Sequence, residues 1–479
     1  MHTSTTALIW FHRDLRVADH PALDAALAEC ERVIPIYIHS PDEEAPWSPG
    51  SASNWWLHHS LAALQGKLQR AGSNLLITRG PTRQRLRDLV RQLGATHLFW
   101  NRRYEPAIRD RDRLIRQDLT NEGVICRRLP GDLLQEPAGL LTVQGTPYKV
   151  FTAYWRGVSE RLHDLTPPRP PVEHLPTPPV VYPGIELESL ELLPDHPWYR
   201  GFESIWQPGE AGAWQAWNQF SQAALPNYAD RRDIPGYEGT SRLSPHLHFG
   251  EMTPRQIIWE RRHLDGLGPT SEDQLESFIR QLGWREFAYY TLYHFPKSAG
   301  ESLDGRFETA AWLPTDEQAD WLQRWQRGKT GIPIVDAGMR QLWHTGWMPN
   351  RLRMIVASLL TKNLGIHWLE GARWFWETLL DADLANNTLG WQWTAGCGVD
   401  AAPYFRVFNP ARQADRFDPS GRYIKRWVPE LAAADKRILH NGRLSIDGGL
   451  NYPLPMVDLN QSRKQALLRW EQIKRLKPR

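Results

Sequence analysis

Cysteine is scarce in this chain. Cys30, Cys126 and Cys397 are the only three in 479 residues, with no Cys-x-x-Cys pair and no metal-ligand spacing. That excludes a disulfide framework and a cysteine-held structural zinc, and an odd, small count fits a reducing cytosol. No apolar run approaches a membrane span, and the apolar stretch of the N-terminal MHTSTTALIWFHRDLR is too short for a secretory signal. The expectation is a soluble, cytoplasmic protein with no membrane partner and no metal. Neither GxGxxG nor GxxxxGK[ST] follows any apolar run, so a standard dinucleotide or triphosphate site is unsupported. Charge is nearly balanced at +3, which leaves nucleic-acid binding to local clusters of basic residues rather than to composition.

What the chain has in quantity is tryptophan, 24 residues, a side chain suited to stacking, packing and electron transfer. The length calls for at least two domains. In the first part, short apolar runs at 7–11, 33–38, 75–78, 97–100 and 124–127 alternate with helical patterns at 22–29, 55–70, 83–93 and 108–119. That rhythm predicts an α/β domain with a doubly wound parallel sheet over 1–132. Ten prolines between Pro167 and Pro197 predict an extended connector within a linker spanning 133–202. From 203 to 479 the pattern is helical throughout, so the second domain is expected to be all-α.

Four stretches of the helical half carry chemistry. EGTSRLSPHLHFG (Glu238–Gly250) gathers Thr240, Ser241 and Ser244 about Arg242, and Ser244-Pro245 reads as an N-cap and first helical position facing an anion, or simply as a capped helix with a surface arginine. RQLGWREFAYY (Arg280–Tyr290) places Gln281, Trp284 and Arg285 on adjoining helix faces. Asn350, Arg351 and Arg353 open a further helix, which suits phosphate or a solvated face. Asp381, Asp383, Asn386, Asn387, Trp391 and Trp393 crowd into thirteen positions, readable as a helix cap or as hydrogen-bonding groups for a nucleotide-like cofactor.

Together with WFHRDLR (Trp10–Arg16), GKTGIPIVDAGMRQL (Gly328–Leu342) and WMPNRLRM (Trp347–Met354), these stretches make the chain resemble the DNA photolyase and cryptochrome flavoproteins over nearly its whole length. It looks most like the bacterial-type, class I cyclobutane-pyrimidine-dimer photolyases, whose helical domain holds a folded FAD. The resemblance puts Tyr228, Thr240, Ser241, Arg242, Leu243 and Ser244 at the FAD phosphates, with Arg285 and Arg353 nearby. It puts Asp381 and Asp383 at the ribityl and flavin side, and Asn387 opposite flavin N5. It implies a monomeric deoxyribodipyrimidine photolyase acting on damaged DNA: excited reduced FAD passes an electron to the dimer, the ring opens and the electron returns.

Trp284 and Trp393 resemble the walls of the lesion pocket, and Arg232, Asn350, Arg351, Met354 and Gln413 match positions facing DNA or lesion. Trp391 and Trp368 match the first two members of the tryptophan chain that reduces the flavin, and Trp312 aligns as the third with a short insertion before Trp325, or reads as a core residue. One position departs from the dimer class. Gln281 stands where those enzymes usually have glutamate, and glutamine there is seen in (6-4) photolyases and animal-type cryptochromes. The (6-4) class in turn typically has histidine where this chain has Met354. A cryptochrome that signals without repair is therefore the alternative, with (6-4) repair beside it. A second, antenna chromophore, folate or deazaflavin, stays unassigned, because NRRYEPAIRDRD (Asn101–Asp112) lacks the Asn-Glu pair of the best-known folate pocket. Arg103, Glu105 and Arg109 read instead as an ion-paired surface.

Overall fold

The computed structural model describes residues 5–176, 184–261, 269–308, 312–313, 315–401, 405–441 and 451–477. Five parallel strands form one sheet: β1 (Thr6–Phe11), β2 (Arg32–His39), β3 (Leu76–Arg79), β4 (His97–Asn101) and β5 (Ile125–Leu129), in the order β3-β2-β1-β4-β5. The central strand, TALIWF, is buried along its whole length, as a strand covered on both faces must be. It pairs in register with β2 (Leu8 with Ile34) and with β4 (Leu8 with Leu98). The crossovers are α1 (Pro21–Glu29), α2 (Ser51–Arg70), α3 (Thr82–Leu93) and α4 (Pro106–Asn121). In α3 the buried Leu86, Leu89, Val90 and Leu93 recur at helical spacing, and Gly94, at φ 60°, ends the helix.

Among the described residues no strand follows β5, and the rest of the chain is helical. The 133–202 span is more than a connector. Its first part carries α5 (Phe151–Ser159), whose Phe151, Tyr154, Trp155 and Val158 are buried with Phe287 and Tyr290 in the core of the helical half. Only beyond this does it run extended over the α/β domain, through Leu175 N–H to the Ala71 carbonyl (2.8 Å) and Ile185 N–H to that of Ile77 (2.9 Å). Most of the proline-rich stretch is described; residues 177–183 lie outside the described residues.

The WFHRDLR segment fastens the two halves. Arg16 is fully buried; it donates to the carbonyl of Gly250 (2.8 Å) and pairs with Asp132 (2.8 Å), while Leu15 N–H bonds the Phe249 carbonyl (3.0 Å). Trp56 donates to Glu251 (2.9 Å) across the same seam. Several tryptophans thus serve packing: Trp10, Trp55, Trp56, Trp100 and Trp325 are completely buried. Arg103 and Glu105 are likewise interior. With Arg13 and Glu44 they form a buried ion cluster, Arg103 to Glu105 at 2.7 Å and to Glu44 at 3.0 Å, which corrects their reading as a surface. Little of each side chain reaches solvent, and the charges are matched in pairs. Arg109 bonds the Tyr293 carbonyl (3.1 Å) and lies over that ring.

Candidate functional site

Three helices of the second half, Pro269–His294, Asn350–Ser358 and Leu384–Ala395, enclose a cavity of about 570 Å³ with the loop that precedes Ser244. That volume lies within the roughly 300–1,000 Å³ range of small-molecule sites. The first helix turns Phe278, Gln281, Leu282 and Arg285 inward at spacings of three and four, the face a helix can present to one neighbour. Trp284 joins them, stacked on Phe151 at 3.8 Å between ring centres. Nearly all the residues expected at cofactor or lesion converge here: Tyr228, Arg232, Thr240 to Ser244, Gln281, Trp284, Arg285, Asn350, Arg351, Arg353, Met354, Asp381, Asp383, Asn387, Trp391 and Trp393.

The carboxylate side is tightly organised. Arg353 Nη2 donates to both oxygens of Asp381 (3.0 and 2.8 Å), and its Nε is held by the Met348 carbonyl (2.8 Å). Asp383 is indeed the N-cap of the Leu384–Ala395 helix, accepting from Asn386 N–H at 2.8 Å. Its other oxygen accepts from the Tyr289 hydroxyl and lies 3.5 Å from His248 Nδ1. The cap residue thus also lines the cavity. Burial alone would raise the Asp383 carboxyl, but His248, Tyr289 and Arg285 hold it well below the usual carboxylate range. Asn387 Nδ2 donates to the Ala372 carbonyl (2.9 Å), which fixes its amide against the Trp368–Thr378 helix.

His248 was missed in the sequence. Burial, then the charge of Arg13, lowers its pKa against the opposing pull of Asp383, and beyond the 3.5 Å approach of Nδ1 to that carboxylate its ring nitrogens meet no close protein partner. It lines the cavity four residues after Ser244, so the SPHLHFG stretch itself carried the signal. Asp233, which pairs with Arg351 at 2.6 Å on the cavity rim, was also missed.

The hydroxyl side departs from expectation in one respect. Arg242 sits at φ 54°, and its guanidinium turns to Glu238 and lies over Trp206 and Trp347 (5.9 and 5.6 Å) instead of being ringed by hydroxyls. The helix there spans Ser244–His248, so Leu243 takes the cap position and Ser244 the first helical one. Five residues give little dipole, and the Ser244 hydroxyl accepts from Trp347 Nε1 (3.3 Å).

Trp391 lines the cavity, its Nε1 buried without a protein partner, its ring 5.0 Å from Phe375. It lies so close to Gly371 that a methyl group there would overlap the indole. Trp368 is wholly buried and donates to Ser302 (3.1 Å); Trp312 is partly buried and donates to the Phe307 carbonyl (2.9 Å). Neither lines the cavity. The His367 ring stands between them, 5.8 Å from Trp368 and 4.9 Å from Trp312.

Gln413 also stands outside the cavity. It lines an adjoining open groove of about 600 Å³ that shares Arg351 with the cavity rim. Arg406, Arg412, Arg416 and Arg463 line the same groove, with no carboxylate among the described lining residues. Arg463 comes from the basic C-terminal helix, Leu459–Arg475, which also packs one face inward through Ser462, Ala466 and Ile473. Among the described residues no helix is long and apolar enough to cross a membrane, and no cluster of three or more His, Cys, Asp or Glu is placed to hold a metal.

Comparison with known proteins follows the same division. Residues 7–177 match the DNA photolyase family model, and residues 278–472 match the model of the FAD binding domain of DNA photolyase. A deoxyribodipyrimidine photo-lyase of Agrobacterium fabrum is 41% identical over 98% of this chain and 98% of its own. The chain belongs to the DNA photolyase and cryptochrome family. As a member it has the family's FAD-binding domain, which contains the Asp381, Asp383 and Trp391 side of the cavity. The crystal structure of a bacterial class III photolyase from Agrobacterium tumefaciens superposes with a TM-score of 0.91 at 39% identity, covering 99% of both chains. Cryptochrome-2 of Arabidopsis thaliana is 36% identical over 97% of this chain and 78% of its own. Photolyases and cryptochromes thus both match it closely, and the choice between repair and signalling turns on the site.

Proposed function

We propose that this protein is a monomeric photolyase that repairs cyclobutane pyrimidine dimers in DNA under blue light, with FAD as its cofactor. The observation that carries the proposal is a single cavity with two unlike sides. One side holds charged and amide groups already fixed to one another, and the other, beside an arginine-lined groove, holds aromatic walls and neutral polar side chains.

The cofactor side suits FAD on its own chemistry. Buried polar groups are almost always hydrogen-bonded, so the Trp391 indole N–H, which has no protein partner, asks for a ligand that accepts from it, and His248 Nε2 asks for a ligand partner of its own. Thr240, Ser241 and Ser244 offer hydroxyls to phosphates, Arg353 and Arg285 offer charge, and Asp381 and Asp383 accept hydroxyl hydrogens. When bound and reduced, FAD supplies the light-excited electron. Asn387 holds its amide at the flavin, and Trp391, Trp368 and Trp312 carry electrons inward from the surface. The His367 ring between the last two supports Trp312 as the third member.

On the lesion side, Trp284 and Trp393 wall a flipped-out dimer, with Trp284 kept flat by Phe151. Extruding the lesion costs a few kcal/mol of stacking, least for a base pair already damaged. Gln281, Asn350 and Met354 meet the lesion, with Asn350 Nδ2 approaching Met354 Sδ at 3.8 Å. Arg351, Arg412, Arg416 and Arg463 hold phosphates of the flanking strand, and Gln413 acts among them. Arg232 belongs to the rim.

The test is direct. Purified protein, photoreduced without oxygen, is mixed with an oligonucleotide carrying one thymine dimer and lit with blue light, and intact thymine is followed by chromatography. Many thymines recovered per protein support the proposal. Normal flavin reduction with no thymine recovered overturns it. The second reading, a signalling cryptochrome, is favoured by Gln281 and by the 36% identity to Cryptochrome-2; it takes over if a (6-4) substrate is also left unrepaired.

A further inference from the structure

Gln281 and Arg232 are joined, and the joint fixes which way the amide faces. Arg232 Nη2 donates to Gln281 Oε1 at 2.9 Å, and Gln281 Nε2 donates to the Ser277 carbonyl, one turn back in the same helix, at 3.2 Å. Oxygen and nitrogen of a side-chain amide are assigned from their partners, and here both partners agree. A flipped amide would set its NH2 against a guanidinium and its oxygen against a carbonyl. An amide has two N–H donors and two lone pairs, so one of each remains for the cavity that both residues line.

Arg232 shares its nearest carboxylate with Arg351. Its Nε is 3.9 Å from Asp233, whose other oxygen is engaged by Arg351 at 2.6 Å, and its guanidinium lies 5.4 Å over the Tyr228 ring. The bond to the Gln281 amide is thus the shortest of these contacts. A hydrogen bond to an ionised donor is stronger than a neutral one, and it polarises the next bond in the series.

We propose that Arg232 is a positioning residue that acts through Gln281, orienting and polarising its free N–H toward a carbonyl oxygen of the lesion, so that a neutral relay does the work of an acid at this position. The inference rests on the reading that Gln281 faces a pyrimidine dimer. When the dimer has accepted an electron, negative charge develops on its carbonyl oxygens. An N–H in series with a guanidinium stabilises that charge where it forms, as an oxyanion hole does, without giving up a proton. Both cyclobutane C–C bonds then break and the electron returns to its donor, so electrons and protons balance with no general acid.

The arrangement reverses the obvious expectation for Gln281→Glu. A carboxyl beside Arg232 ionises, because an opposite charge at hydrogen-bond distance favours the charged form. It then turns an acceptor, with no proton, toward the lesion carbonyl. Restoring the residue usual in dimer photolyases should therefore weaken repair.

The experiment uses flavin-loaded, full-length protein and a thymine-dimer oligonucleotide. It separates the dissociation constant from the number of dimers split per absorbed photon at saturating DNA, counted per bound flavin. Arg232→Met and Gln281→Glu are each expected to lower the splitting yield by roughly three- to tenfold, the worth of one hydrogen bond. Arg232→Lys should recover part of it. The double variant Arg232→Met with Gln281→Leu should be no worse than Gln281→Leu alone, as coupled residues behave. Arg232→Met that weakens binding but leaves the yield intact makes Arg232 a phosphate clamp and overturns the proposal, as does a Gln281→Glu yield above wild type. Wild-type protein that splits no dimer overturns the repair reading itself, and the relay with it.

Discussion

The two sides of the cavity are built on different principles. On the cofactor side the carboxylates and the amide are bound to other parts of the protein: Asp381 to Arg353, Asp383 to Tyr289 and the Asn386 amide, Asn387 to the Ala372 carbonyl. On the DNA side the fixed contacts are fewer: Gln281 is held by Arg232 and Arg351 by Asp233, but Asn350 reaches only the Met354 sulfur, and Arg412, Arg416 and Arg463 stand exposed. A group that stays bound through many turnovers repays a fixed frame, because ordering its partners beforehand removes that cost from binding. A substrate that must enter, be split and leave is better met by a few oriented groups and by charge that water can screen.

That contrast fails first, if it fails, at Arg353. Arg353→Ala leaves Asp381 buried without its cation, and breaking such a pair typically costs about 3 kcal/mol or more. Thermal stability should fall by that amount, and FAD, deprived of one cation and of an oriented carboxylate, should bind at least about tenfold more weakly, the worth of about 1.4 kcal/mol. Titration of the apoprotein with FAD, followed by flavin fluorescence, checks this. Retention of tight binding would mean that the carboxylate side is not a fixed frame for the flavin.

The next effect separates holding the flavin from feeding it electrons. Trp391→Phe should keep flavin bound but abolish its photoreduction, while chemically reduced protein still splits dimers. Gly371→Ala attacks the same indole from behind. A methyl group there overlaps the Trp391 ring, and overpacking of this kind costs about 1–3 kcal/mol. Lower thermal stability with slowed photoreduction is expected, measured by melting and by absorbance under blue light.

Much of this was legible in the sequence, for a physical reason. The strands and crossover helices follow from periodicity because burial on both faces of a parallel sheet forces apolar runs, and the observed strands fall within a residue or two of the runs that announced them. Gln281, Trp284 and Arg285 could be placed on one helix because local geometry alone relates them. What the sequence did not show depends on partners far along the chain. Arg103 and Glu105 look like surface charges until Glu44 and Arg13 arrive to bury them. Arg242 looks like the centre of a hydroxyl ring until Trp206 and Trp347 offer it their faces. Gln413 fell outside the cavity for the same reason, since only the fold shows that its helix lies along the groove.

Behind the cofactor wall a smaller, pH-dependent effect is expected. Burial pushes Glu286 up to about 7, against Arg285 and the amide groups of Leu134 and Gln135, which act to lower it. The unfolded carboxyl titrates near 4.5, so between these values the folded protein binds more protons than the unfolded chain. This group therefore favours the fold most at low pH; its contribution declines as pH rises from about 4.5 and levels off above about 7. The total is on the order of 1–3 kcal/mol. Glu286→Gln keeps an oxygen for the two amide groups and carries no charge. Its melting temperature, minus that of wild type, should climb with pH across this window; a flat difference would mean that Glu286 keeps its proton or its charge throughout.

The smallest single effects belong to the groove, and they sharpen the contrast most. If Arg412, Arg416 and Arg463 each neutralise one phosphate, each replacement by alanine lowers the slope of log affinity against log salt by about 0.9 for duplex DNA. Each should also weaken binding several-fold at low salt, with the difference fading as salt rises, because a released counterion is worth less when the bulk holds more of them. The three should add, since exposed charges that share no partner act independently. Arg353 and Asp381 would behave otherwise, as a buried pair whose loss is felt at any ionic strength. Binding isotherms from low to moderate salt, on damaged and undamaged oligonucleotides alike, measure this. A groove that contacts only backbone shifts both curves equally. A larger loss on damaged DNA would mean that the arginines also sense the bend around the lesion, and the DNA side would then be more ordered than its open geometry suggests.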